Sequence, residues 1–302
     1  MSFTRTEPSA TQWRDGAARS REWAASWAAD AEWRQLIAPI DAAGTLADLM
    51  PAALALLHEP GWFEAMVAQW LAIIVATPLA EPPVRSSRDA ARRTLLLHDG
   101  ATATITATVL PDGVAPPARA GAGRVVRSGR WSATCYLRAG GVRIERWRLR
   151  SDVPCLVREP DLLPADRSVV VTDGRTMAQR LVQPVPQPTV MLSVSARLGA
   201  AASVHEHDAG DGSLIRVATA DDGAARSQML LRLLRALDHR GAAAQFDAAS
   251  RGGTAFLRWE AMREWLMLGD ATAVTRLGEV AADDPDPDVR AAAAATLARL
   301  HA

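Results

Sequence analysis

RLGEVAADDPDPDVRAAAAATLARL, Arg276 to Leu300, reads as the end of one helix, a turn and a second helix. Ala273, Val274, Leu277 and Val280 mark the first, which should stop at Asp283-Asp284-Pro285-Asp286-Pro287. Proline restricts the residue before it and lacks the donor that a continuing helix needs. Asp286 or its neighbours can cap the second helix, and Asp288 adds a favourable charge in its first turn. Val289, Ala292, Ala293, Thr296, Leu297 and Leu300 then line one side. Upstream, Met229, Leu230, Leu233, Leu234 and Leu237 recur at helical spacing before Gly241 punctuates the run. Leu257, Ala261, Trp265 and Leu268 make a further stripe, one residue per turn. Gly223 to Ala302 therefore reads as two successive pairs of antiparallel helices.

This segment resembles a HEAT-type repeat: helix, Asp/Pro turn, then Val-Arg followed by small residues. FLRWEAMREWL, Phe256 to Leu266, echoes its second half at an offset of 32 residues, so that Leu257 matches Val289, Arg258 matches Arg290, Ala261 matches Ala293 and Trp265 matches Leu297. The first pair lacks the Asp-Pro turn. HEAT-like pairs stack in arrays, so the resemblance implies two copies attached to a larger core.

The formal charge is +0, with 34 basic and 34 acidic residues. Such balance gives no long-range attraction for nucleic acid or an anionic membrane surface. Lysine is absent, which excludes a lysine Schiff base, a Walker-type phosphate lysine and a lysine nucleophile. Cys135 and Cys155 form no Cys-x-x-Cys pair, so reduced thiols are expected. The start, Met1-Ser2-Phe3-Thr4-Arg5, does not lead into an apolar signal core, and Met66 to Ala76 is too short to span a bilayer. A soluble, cytoplasmic protein is expected, with a protein partner or a second copy of itself rather than nucleic acid or membrane.

Residues 12 to 76 read as a helical preface. Trp23, Trp27 and the region of Trp33 recur on roughly one side, either as a partner-binding aromatic face or as ordinary packing. Pro39 ends or bends that helix, Leu46 to Leu57 makes another, and Gly61 to Ala76 is apolar enough to be buried on most sides. Residues 77 to 90 are the candidate linker. From Thr94 the period changes: TLLLHDGATATITATVL, Thr94 to Leu110, is a strand, an Asp99-Gly100 turn and a second strand. Val114 to Gly123 is a loop, and Arg124 to Val126, Trp131 to Arg138 and Val142 to Leu149 are strands. On the last, Arg143 and Glu145 should face out, with Arg148 a further candidate, while Val142 and Ile144 face in. Trp147 fits neither face cleanly and points to a bulge or a rim position. Arg143, Arg146, Arg148 and Arg150 read as a phosphate site or a solvated strand surface. Residues 151 to 166 show no convincing period. Ser168 to Thr172, Thr176 to Val182, Thr189 to Ser195 and Leu214 to Ala218 are strands, with Pro184, Pro186 and Pro188 in an extended connection.

Short strands with Gly/Pro turns and no βαβ alternation define an α+β chain: N-terminal helices (residues 1 to 90), a central antiparallel β-sandwich or barrel (91 to 221) and C-terminal HEAT-like helical hairpins (222 to 302).

In GAAASVHEHDAGDG, Gly199 to Gly212, the spacing Gly199, His205, His207 resembles the opening of the cupin metal motif. Two imidazoles separated by one residue share a strand face and can bind one divalent metal. The cupin pattern would continue with a glutamate, a glycine and a later histidine. Here Asp211 takes the relevant spacing and His98, from the first hairpin, would have to close the set. The resemblance implies one divalent ion such as Fe, Mn, Ni or Zn and an enzyme, an oxygenase on a small molecule or peptide. The same Gly/Asp-rich stretch also reads as an exposed turn. No dinucleotide Gly-x-Gly-x-x-Gly, nucleophile elbow or His-Glu-x-x-His is present.

In the tail, Arg226, Arg235, Arg258 and Arg263 lie near Asp222, Glu260 and Glu264. Trp259, off the main stripe and beside Arg258, reads as an anchor for a partner peptide or for packing inside the chain. The expected role is protein interaction, or an accessory subunit of a larger assembly, with Arg258, Trp259, Arg263, Trp23 and Trp27 as the surface.

Overall fold

Ser9 opens the described chain with a capping box: its hydroxyl accepts from the Gln12 amide at 3.2 Å while the Gln12 side chain accepts from the Ser9 amide at 2.7 Å. The computed structural model describes residues 8–89, 92–111, 123–150, 155–182 and 187–300. Most of the expected loop at Val114 to Gly123 lies outside these residues, as do Pro184 and Pro186. The chain forms two compact units, residues 1–200 with 207–213, and residues 201–206 with 214–302. The first holds the helical preface together with most of the β-rich middle that the sequence reading divided at residue 90.

In the first unit α1 (Ala10–Ala29) ends at Asp30, which caps α2 (Ala31–Asp41) by accepting from the Trp33 amide at 2.9 Å. Pro39 sits in the last turn of α2, and the helix runs two residues past it. A second capping box, Thr45 with Asp48, starts α3 (Leu46–His58), and α4 (Gly61–Ala76) follows Pro60. The expectation that α4 is buried on most sides does not hold. Only Phe63, Met66 and Trp70 are buried, while Leu71 and Val75 are exposed, because one stripe satisfies its contacts. Trp70 meets Trp23 and Trp27 edge-on. No described helix is long and apolar enough to cross a membrane.

The helices share a core with a six-stranded antiparallel sheet of order β1-β2-β3-β10-β5-β8. Its strands are β1 (Arg85–Arg88), β2 (Arg93–Asp99), β3 (Ala103–Leu110), β5 (Trp131–Arg138), β8 (Ser168–Asp173) and β10 (Thr189–Ala196); β4 (Arg124–Arg127) lies between β3 and β5 in sequence. Neighbouring residues divide between the two faces as the period of two demands. Cys135 and Leu192 pack with Leu49, Leu57 and Ile40 of the helical layer. Tyr136 and Met191 pack the other way, with Val142 and Ile144. Burial pushes both the Cys135 thiol and the Tyr136 phenol up from their ordinary pKa values. Cys135 and Cys155 are both free thiols.

The second face is covered by a three-stranded sheet, β7-β6-β9, made of β6 (Arg143–Leu149), β7 (Leu156–Leu162) and β9 (Met177–Val182). This is the sandwich. β7 and β1 escaped the sequence reading for related reasons. Both are edge strands: β1 is exposed at every residue, and β7 carries Pro160, which an edge position tolerates. Opposite Pro160 the β6–β7 register shifts between Ile144 and Arg146, and the Arg146 guanidinium donates twice to the Pro160 carbonyl at 3.1 and 3.0 Å.

On β6 the bulge reading is met by the register shift between Ile144 and Arg146, whereas the rim position for Trp147 and the outward-facing Glu145 are corrected. Trp147 is fully buried, its indole donating to the Ala209 carbonyl at 3.1 Å with the guanidinium carbons of Arg158 and Arg180 each 5.5 Å from the ring. Glu145 is buried rather than exposed, because Arg180 grips it at 2.8 and 2.6 Å and Arg143 and Arg158 add contacts at 3.3 and 3.4 Å. A buried carboxylate needs such partners. Arg148 meanwhile pairs with Glu159 at 2.5 Å.

The second unit begins with Ser203 to Glu206 of β11 (Ser203–Asp208) and with β12 (Leu214–Thr219), which packs against α5 (Asp222–Ala236) and α7 (Ala255–Leu268). A short 3-10 turn, Arg240–Ala242, leads into α6 (Ala243–Arg251), and α8 (Ala271–Asp283) and α9 (Pro287–Leu300) complete it. The helices pair into hairpin-like contacts, α6 with α7 and α8 with α9, consistent with HEAT-like repeats, while α5 packs on α7. Helix α6 was not legible because Phe246 is its one large apolar residue; that ring is fully buried and stacks 6.3 Å from Trp265. Gly269, at φ 78°, ends α7 in the left-handed conformation glycine favours. The Asp/Pro turn behaves as read: α8 stops at Asp283, Pro287 is the first residue of α9, and Asp286 accepts from the Asp288 and Val289 amides at 2.9 and 3.2 Å.

Candidate interaction surface

Helix α5 is capped by Asp221, which accepts from the Ala224 amide at 2.8 Å. Its inward side is Ala224, Leu231 and Leu234. The residues that drew attention in the sequence mostly point elsewhere: Met229, Leu230, Leu233 and Leu237 are 65, 58, 53 and 68 % exposed. The positions i, i+1, i+4 and i+8 fall on one stripe. One packed face uses an apolar arc of roughly 100°. The apolar residues of α5 extend beyond it, which is the signal in the sequence that a second face exists.

Beneath α5 lies an ionic layer. Glu260 and Glu264 of α7 are buried. Glu260 accepts from Gln228 at 2.6 Å, Arg232 at 3.1 Å and Arg263 at 2.5 Å, and Glu264 accepts from Arg232 at 3.3 Å and from Arg235. The guanidinium groups bond the buried acids while the arginine side chains stay part exposed to water. Arg263, a sequence candidate for the surface, is half exposed and belongs to this layer.

Arg258 is placed differently. It is buried and clasps the Asp284 carboxylate at 2.8 and 2.7 Å, with a further bond to the Gly253 carbonyl at 2.9 Å. The guanidinium holds the Asp284 carboxyl below the usual aspartate range, and Asp284 in turn raises the Arg258 pKa. Arg290, its counterpart on α9, donates to the Asp284 carbonyl instead. Trp259 is half-buried and lines a groove of about 450 Å³ with Phe256, Val217 and Val289, the carboxylates of Asp286 and Asp288 standing at its side. Trp23 is buried, and Trp27 is half-buried in the helical layer of the first unit.

The proposed metal ligands are spread over separate settings. His98, on β2, bonds the Asp41 carboxylate at 2.8 Å. His205 and His207 share β11, but His207 is buried with Nδ1 3.0 Å from the Gly212 carbonyl, and Asp211 accepts from the Ser213 amide at 2.8 Å. Among the described residues no group of three or more His, Cys, Asp or Glu side chains is arranged to hold a metal ion. Nor do the β6 arginines stand open for phosphate: Arg143, Arg146 and Arg148 each engage an acceptor of the protein.

No protein-family model and no curated protein sequence matches this chain. Among solved structures it is distantly similar to cupin-like proteins. One is an IolB-like protein from Salmonella typhimurium (9 % identity, TM-score 0.28), with 38 % of this chain and 46 % of that one covered, so the match spans under half of that protein. A second is a sugar phosphate isomerase from a cupin superfamily, from Silicibacter pomeroyi (13 %, 0.25, covering 44 and 88 %). A third is a cupin-2 domain from Rhodospirillum rubrum (11 %, 0.27, covering 47 and 79 %).

Proposed function

We propose that the C-terminal helical unit is a protein-recognition module that accepts an acidic amphipathic helix of another protein along the exposed face of α5. The observation that carries this reading is the stripe Met229, Leu230, Leu233 and Leu237, four large apolar side chains all more than half in water. Scattered exposed leucines need no explanation, whereas a contiguous stripe on one helix is the form that helix-in-groove recognition uses. Covering one such side chain contributes about 1.5–3 kcal/mol, so several together begin to offset the cost of association.

The charge around the stripe selects the occupant. Between Asp222 at the start of α5 and Asp238 after Leu237, the helix carries Arg226, Arg232 and Arg235 and no acidic residue, and the two carboxylates below are shared among three arginines. A second copy of this chain would bring arginine against arginine. An acidic partner gains attraction and a faster encounter.

The test is selection of a helical peptide library on the full chain. Enriched peptides should carry apolar residues at i, i+3 and i+4 flanked by Asp or Glu. Their retention should fall with salt and should be lost on a Leu230→Glu, Leu233→Glu chain. Enrichment without acidic flanks, or equal retention by that variant, overturns the reading.

A further inference from the structure

We propose that the cavity walled by Trp27, Trp33 and Trp62 in the N-terminal helical layer binds an organic cation of the quaternary-ammonium class, with Asp30 and Glu32 supplying the counter-charge. The cavity measures about 230 Å³ and is lined by these five residues together with Leu36, Met66 and neighbouring parts of α4. That is below the roughly 300–1,000 Å³ of pockets for larger ligands, and matches a headgroup rather than a whole extended molecule.

The wall is a run of indoles in mutual contact. Trp27 stacks on Trp33 at 5.1 Å and 29°, and Trp33 meets Trp62 at 5.4 Å and 41°. Indole faces carry negative potential and attract a cation placed over them, tryptophan more strongly than the other aromatic side chains. The local fold fixes them: Asp30 both ends α1 and caps α2 through the Trp33 amide, and the Trp62 indole donates to the Leu56 carbonyl at 3.1 Å. The first fixes the backbone that carries Trp33, and the second holds the Trp62 ring itself.

Charge decides between a hydrocarbon and a cation. The lining contains two carboxylate residues and no arginine or histidine. The nearest arginine in sequence, Arg34, has its guanidinium on the main-chain carbonyls of Ala29 and Asp30, at 2.5 and 3.2 Å. A quaternary ammonium group suits such a wall better than a primary ammonium. It has no N–H groups to leave unsatisfied against apolar surface, and its methyl groups present both charge and apolar area to the rings.

Choline and 3,3-dimethylbutan-1-ol, its neutral isostere, separate charge from size. Titration of the full chain with each, followed by ligand proton shifts and tryptophan fluorescence, should show choline binding about tenfold tighter. Its N-methyl protons should move upfield under the ring currents. The Asp30→Asn, Glu32→Gln chain keeps the shape of the site, and asparagine still caps α2. It should melt as the parent does and lose most of that tenfold preference while binding the neutral isostere unchanged. Trp27→Leu should reduce the upfield shift, since Trp33 and Trp62 remain. Equal affinity for the two compounds, or an undiminished choline preference in the carboxamide variant, overturns the proposal.

Discussion

Arg258 of α7 and Asp284 of the α8–α9 turn, 26 residues apart, form a buried bidentate pair that joins one helical hairpin to the next. Asp284 also accepts from the Asp286 amide at 2.9 Å, so one carboxylate fixes the turn and anchors it to the preceding repeat.

Asp284→Asn should destabilise the C-terminal unit by roughly 3–5 kcal/mol, the range for stranding a buried charge. The sign with pH follows from the depressed carboxyl. Its contribution is fully present above the unfolded aspartate value, about 3.9, and is lost as pH falls through the lower folded value. Urea unfolding at neutral pH should therefore separate the two chains widely, and the gap should close below about pH 4. A gap that persists unchanged in acid contradicts the assignment.

The layer under α5 predicts an asymmetry. Glu264 is buried with Arg232 and Arg235 as its arginine partners, whereas both arginines reach water. Arg235→Ala should cost about 1–3 kcal/mol because it leaves a buried carboxylate short of donors. Glu264→Gln should cost less, since the released guanidinium groups can be hydrated. Chemical denaturation of the two variants checks the order.

The exposed stripe should be neutral for folding. Glutamate and leucine have similar helix propensity, and Leu230 and Leu233 touch mainly solvent. Their replacement by glutamate should shift stability by no more than about 0.5 kcal/mol, measured by thermal melting. A large loss would place these leucines in a packed interface of the folded chain.

Among the described glycines, Gly212 has the tightest approach to another main chain. Its φ is 74°, a Cβ there would meet the main chain of Leu156, and its carbonyl receives both the Leu156 amide at 2.9 Å and His207. Gly212→Ala should cost at least about 2 kcal/mol, the left-handed conformation alone accounting for about 1–2. Hydrogen exchange should show lost protection at the Leu156 amide.

The sequence was informative where one local rule dominated. Asp283 to Pro287 fixed the α8–α9 turn, and alternation in Thr104, Thr106 and Thr108 marked β3. It was uninformative where tertiary partners decide. Nothing local in Arg85 to Arg88 says that an exposed polar tetrapeptide pairs with β2, and nothing in Leu156 to Leu162 says that Arg146 will answer the carbonyl of Pro160. Site reading failed in the same way. Arg258 and Trp23 have the residue types of a contact surface, yet both are buried, Arg258 against an aspartate far along the chain and Trp23 against the Trp70 indole of another helix. The aromatic cavity was half visible, since Trp27 and Trp33 were on one side, but Trp62 arrives from another helix.

Helices α7 and α9 start and stop 32 residues apart, and the arginine of the earlier one is secured by the loop of the later. The later unit thus brings the fastening for the one before it. Inserting a further copy of the 32-residue Gly269 to Leu300 segment, which carries the Gly269 and Asp270 caps, should lengthen the stack without redesign of its interior, making this tail a natural starting point for engineered binding scaffolds of chosen reach.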